Sequence, residues 1–226
     1  MRQPRSVPAM TLQPDPREMY AFMDPAEDLS RARKHELVRE VKHLIDLVAH
    51  IDVERADRDE LAQLADDAAE LVDRLEGLPT LLDRGGMAAQ QGPQGALLER
   101  SGISGRANPL APPMQWHPDG DMLRGWATYS PAYEGPIGHV HGGFVAAAFD
   151  DLMGMAQMAS GIAGYTGTLT VKMLRPTPLN RRIDYEAGVD RVDGRKIYVW
   201  AKSRDADKLL AEAEIVFIAP KTGIPR

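Results

Sequence analysis

Residues 138–154, "GHVHGGFVAAAFDDLMG", hold the residue types that could do chemistry. A histidine, His141, is followed by Gly142 and Gly143 and then by a run with no polar side chain until Asp150 and Asp151. If the run is a helix, its first four backbone N–H groups have no intrahelical partner. Glycine lets a ligand approach those groups, and the positive end of the helix dipole stabilises an oxyanion or a carbonyl becoming one. A glycine pair before a helix also serves a tight turn, so the motif alone leaves both readings open.

Asp150 stands on an otherwise alanine-rich face. A buried carboxylate has to be protonated, paired or kept for function, so Asp150 is either a structural hydrogen-bonding partner or an acid/base or nucleophilic group. Asp151 lies about 100° further round the helix and should face a different environment. His141 either orients a substrate or loop or is an ordinary hydrogen-bonded histidine at a helix start. His139 is close by, but there is no HExxH pattern and no third ligand, so no metal site is expected.

The spacing imposes a constraint. Gly142 and Asp150 are eight residues apart, about 12 Å along one helix, too far to act on one carbonyl. A two-fold dimer with antiparallel central helices would bring the acid of one chain to the helix start of its partner and create two equivalent sites.

The elements that must position these groups can be read outward from there. Residues 144–159 are long enough for a helix and show no alternation. Strands are expected at 122–130, 166–176, 182–193, 195–205 and 209–220, with Asp193-Gly194 and Asp205-Ala206-Asp207 as turns and with Pro176 and Pro220 as stops. An α+β domain follows, with an antiparallel sheet wrapped around a central helix.

Ahead of it, Leu37, Val41, Leu44, Val48 and Ile51 mark one amphipathic helix. Asp57 with Glu60 opens a second, carried by Leu61, Leu64, Ala68, Leu71 and Leu75 and stopped near Gly77. The apolar stripes of this hairpin need a partner: the main domain, another chain or another copy. A packing or oligomer role or a lid role fits them. The expected division is a lead-in and helical hairpin over 1–76, a connector over 77–115 with seven glycines and five prolines, and the main domain over 116–220. The lead-in carries Pro4, Pro8, Pro14, Pro16 and Pro25, and the connector could cover a substrate tunnel.

Composition removes several classes. The first 100 residues carry 13 basic and 20 acidic residues against 14 and 13 in the remaining 126, so neither part has the basic excess of a nucleic-acid binder. With no cysteine there is no disulfide, thiolate ligand or thiol nucleophile. No run approaches eighteen apolar residues, and prolines interrupt the place where a signal peptide needs its apolar region, so a soluble cytoplasmic protein without membrane contact is expected.

The segment "YEGPIGHVHGGFVAAAFDDLMG" (133–154) resembles the signature of the hotdog-fold acyl-CoA thioesterases, in the PaaI-like and THEM4-like branch. There a His-Gly-Gly opens the central helix and an acid follows nine positions after the histidine, which here is Asp150; Gly154 matches the glycine four residues on. "TGTLTVKMLRPTPL" (166–179) is similar to the strand that ends in Arg-Pro, and "AEAEIVFIAP" (211–220) to the closing strand. The resemblance covers about residues 115–220 and leaves the N-terminal helices outside.

The resemblance implies hydrolysis of an acyl-CoA thioester. Asp150 would activate water or attack the thioester, Gly142 would donate an oxyanion-hole hydrogen bond, and Thr166 would assist from the next strand, with His141 at the helix start. Coenzyme A would bind at the dimer surface beside Gly143, with Arg175, Arg181, Arg182, Lys196, Lys202 and Arg204 available to its phosphates. No other cofactor is implied, and the partner would be a second copy, as a homodimer or a dimer of dimers. One departure stands out: where several family members carry Asn or Gln six residues before the histidine, this chain has Gly135. A hotdog hydratase or dehydratase, a non-catalytic acyl-CoA-binding module and an interaction protein built on the acidic hairpin are the competing readings.

Overall fold

The computed structural model describes residues 29–81 and 99–221. The proline-rich lead-in and the part of the connector over 82–98 lie outside the described residues. Two helices come first, α1 (Leu29–Ala49) and α2 (Arg58–Glu76). Asp57 caps α2 as its position predicts: its side chain accepts from the N–H groups of Asp59 and Glu60, and Gly77 closes the other end. The apolar stripe of α2 is not covered by the described part of its own chain. No residue of α2 is buried, and Leu64, Val72 and Leu75 are exposed. Of α1 only Arg31 and Val38 are buried.

The main body is a six-stranded antiparallel sheet, β1 (Met114–Asp119), β2 (Met122–Thr128), β3 (Tyr165–Met173), β4 (Arg182–Asp193), β5 (Lys196–Asp205) and β6 (Lys208–Ile218), in the order β1-β2-β4-β5-β6-β3. Strand β1 went unread in the sequence because Pro118 sits inside it. Proline is tolerated there because β1 is an edge strand. The remaining strands fall where alternation places them: on β5, Ile197, Val199, Ala201 and Ser203 point inward while the residues between them are half-buried.

Between β2 and β3 runs the central helix α3 (Gly142–Ala156), which starts two residues earlier than its apolar pattern indicates and ends in a 3-10 turn at Gln157–Ser160. Val145, Ala148, Phe149, Leu152, Met153 and Ala156 form its buried face. They meet the inward residues of the sheet, among them Leu123, Ile183, Ile197, Ile215 and Phe217. Burying each large apolar side chain contributes roughly 1.5–3 kcal/mol, which fixes the helix against the sheet. Tyr129 and Tyr185 are buried in the same core and satisfy each other through their hydroxyls, 2.7 Å apart.

Among the described residues, α1 is tied to the rest of the chain by contacts that include two side-chain pairs. Asp46 Oδ1 accepts from the Ala132 N–H at 2.9 Å, and His35 Nε2 lies 2.9 Å from Glu99 Oε2.

Candidate active site

The two adjacent carboxylates of α3 go to opposite edges of the sheet. Asp150, half-buried, faces edge strand β3, where Thr166 Oγ1 donates to its Oδ1 at 2.9 Å. Asp151 faces edge strand β1 and accepts from Trp116 Nε1 at 3.2 Å and Ser101 Oγ at 3.1 Å. Burial raises the Asp151 pKa, and these hydrogen bonds pull it partly back. Asp151 therefore anchors the segment before β1 and the Trp116 ring to the central helix, a structural part that the sequence did not reveal. Its donors lie 35 and 50 residues away, and no local spacing announces them.

Thr166 owes its aim to an irregularity in β3. Opposite β6 the register jumps between Thr166, facing Phe217, and Thr168, facing Val216, so Gly167 is the extra residue of a β-bulge. A Cβ on Gly167 would come within 2.9 Å of Ile218 Cγ1 and 3.1 Å of Val216 O, so the bulge requires glycine.

At the other end of α3, His141 is the N-cap. Its Nδ1 accepts from the Gly143 N–H at 2.9 Å, which puts the ring proton on the exposed Nε2. The backbone of His141 is held by Tyr133 O, and the N–H groups of Phe144 and Val145 return to His141 O. The Gly142 N–H is left with no hydrogen-bond partner among the described residues. It is the free donor at the positive end of the helix. Beside it lie Met173 Sδ and Cε, each 3.3 Å from where a Gly142 Cβ would stand.

Gly135 has a steric cause. A Cβ there would lie 2.7 Å from His141 Cα and 3.0 Å from His141 Cβ. The histidine that caps α3 fills the space a side chain at 135 would take, so no amide can hold water from that position on this backbone.

The structure thus brings Asp150 and Thr166 together, and His141, Gly142 and Gly143 together, with most of α3 between the two groups. Asp150 is absent from the linings of four clefts of roughly 100–580 Å³ that open on the described residues. Arg175 is exposed and its Nη1 donates to Leu209 O at 2.6 Å; Arg181 pairs with Asp205 and Arg182 with Asp184. No cluster of three His, Asp or Glu suited to a metal occurs among the described residues. No helix among them is long and apolar enough to cross a membrane.

A six-stranded antiparallel sheet wrapped on one central helix, with an acid on that helix and a free amide at its start, is the hotdog architecture. In sequence and in fold the chain is similar to proteins of the thioesterase superfamily. It is 32% identical over 90 residues, 39% of its length, to the acyl-coenzyme A thioesterase THEM4 of Xenopus laevis. It is 28% identical over 87 residues to the acyl-coenzyme A thioesterase THEM5 of Homo sapiens. The matches span 40% and 35% of those relatives' own lengths. A thioesterase superfamily protein of known crystal structure superposes with a TM-score of 0.70 at 25% identity, over 86% of this chain and 92% of that one. No family model matches the chain.

Proposed function

We propose that the protein hydrolyses an acyl-CoA thioester to the free acid and coenzyme A, at two sites each built by two protomers. The observation that carries this is the separation of an acid and an unpartnered amide along one helix. In this reading Asp150 of one protomer acts beside the Gly142 N–H of the other.

Several features support such a pairing. Strand β3 is a sheet edge, and Tyr165, Thr168, Thr170 and Met173 on it are exposed. On α3, Gly143, Ala147, Asp150 and Gly154 share one face turned away from the core. A Cβ on Gly154 would meet nothing within 4 Å, so nothing within the described chain explains the glycine, whereas a second helix crossing there would.

In the mechanism, the thioester carbonyl accepts from Gly142 N–H and the helix dipole opposes the charge that builds on its oxygen. Thr166 holds Asp150 Oδ1 and leaves Oδ2 to work. Either Oδ2 takes a proton from water, which attacks the carbonyl carbon, or it attacks that carbon itself and the mixed anhydride is then hydrolysed. In both routes the C–S bond breaks, and the thiolate of coenzyme A leaves and takes up a proton. His141 shapes the amide cluster through its cap on Gly143. Arg175 and the other basic residues of the strands meet the phosphates of coenzyme A. A cysteine-free chain suits the reducing cytoplasm, where this substrate would be met.

The test is thiol release from a panel of short, medium, long and aromatic acyl-CoAs, with Asp150→Asn beside the wild type. Hydrolysis of at least one member, lost in the variant, supports the reading. Binding of several without hydrolysis makes the protein an acyl-CoA-binding module, the alternative that the lack of an amide at Gly135 favours.

A further inference from the structure

Helix α2 carries an apolar seam that takes no part in the mechanism above. Leu61, Leu64, Ala68, Leu71 and Leu75 recur at alternating intervals of three and four residues, the spacing that keeps one face of a helix turned toward a partner helix. Leu64 is 54% exposed and Leu75 36%, while Leu61 and Leu71 are only half-buried. Ala65 and Val72 widen the seam on one flank, and Asp67 and Arg74 border it on the other. The opposite face carries Asp59, Asp66, Glu70 and Asp73, a charge that keeps the helix off an anionic membrane surface. A helix of 19 residues with no buried side chain is marginal in water by itself, so a partner that covers the seam would hold it.

The seam is complementary to itself in one direction. We propose that α2 pairs antiparallel with α2 of a second copy of this chain, about a two-fold axis that crosses between Ala69 and Glu70. This register sets Leu64 against Leu75 of the second copy and Ala68 against its Leu71, so that small faces large at the centre. It also brings Asp67 beside Arg74 of the second copy, and the symmetry repeats each contact. Both groups are available for that pairing. Gln63 Nε2 donates to Asp67 Oδ1 and leaves Oδ2 to a guanidinium, and the Arg74 side chain has no ion pair or hydrogen bond among the described residues. Antiparallel helices also oppose their macrodipoles.

An in-register parallel pair loses these matches. Ala68 then faces Ala68, Asp67 meets Val72, and Arg74 has no acid opposite it. The contact stands apart from the Asp150 reading and survives its failure.

The chain has no cysteine, so introduced cysteines report this contact alone. The test is oxidation of the full chain by copper phenanthroline, read on a non-reducing denaturing gel. Leu64→Cys/Leu75→Cys should convert most of the protein to a covalent dimer. The two positions meet across the axis, whereas along one helix they lie about 16 Å apart, too far for an internal bridge. Leu64→Cys alone, Leu75→Cys alone and Asp66→Cys/Asp73→Cys on the acidic face should all run as single chains. Arg74→Asp added to the first variant should slow its cross-linking at least about threefold, and the exchange Asp67→Arg/Arg74→Asp should restore it.

Absence of the covalent dimer, as when another part of the chain covers the seam, would overturn the proposal. So would cross-linking of Leu64→Cys alone, which marks a parallel pair, cross-linking of Asp66→Cys/Asp73→Cys, which marks random collision, or indifference to Arg74→Asp.

Discussion

Thr166 Oγ1 stands 2.9 Å from Asp150 Oδ1, so a hydroxyl on an edge strand fixes one oxygen of the acid on the central helix. The hydrogen bond joins two elements that are otherwise held together only by packing, and it depends on the bulge at Gly167 that aims the threonine.

Removing the hydroxyl should therefore lower turnover more than it lowers stability. Thr166→Val is expected to cut kcat about tenfold with KM little changed, and Thr166→Ser to keep most of the rate. Steady-state thiol release measures both, and a Thr166→Val enzyme with wild-type kcat would remove the residue from the mechanism.

Asp151 predicts a pH effect with a definite sign. Burial raises its pKa in the folded chain above the ordinary carboxylate value, so the folded state binds the proton more tightly than the unfolded state does. Ionising Asp151 thus costs stability: the cost is absent below the unfolded pKa, grows through the window up to the raised folded value, and is complete above it. The melting temperature of the wild type relative to Asp151→Asn should rise as pH falls from about 7 toward 4. A difference independent of pH would contradict the burial of this carboxylate.

Gly135 predicts that restoring the amide found in several family members fails here. Gly135→Asn places a Cβ 2.7 Å from His141 Cα, so the backbone at the start of α3 must move. A loss of about 1–3 kcal/mol is expected, with no gain in turnover. Chemical denaturation and thiol release report the two, and a stable, faster variant would show that position 135 has room for a water-holding side chain.

Local grammar made much of this architecture readable. The Asp57 cap, the alternation of β5 and the apolar run of α3 each follow from a short-range rule, and the structure carries all three. Features set by distant partners were not readable. The periodicity shows that Asp150 and Asp151 diverge, but not that one reaches Thr166 and the other Trp116, because that depends on which sheet edges flank the helix. Strand β1 was hidden by Pro118, which only an edge strand accepts. The reason for Gly135 lies in its contact with His141 across a loop, which a sequence does not display.

The central claim is that each site takes its acid from one protomer and its amide from the other. Gly142→Pro deletes the amide with little disturbance, since proline suits the first helical position and His141 already has the extended ψ of 132° that a following proline requires. Asp150→Asn and Gly142→Pro chains, co-expressed with different tags and purified as the heterodimer, give the decisive measurement. One of the two sites then has both groups intact, so the heterodimer should recover about half of the wild-type turnover per dimer while each parent homodimer stays inactive. A heterodimer as inactive as its parents, or an active monomer, would contradict the account.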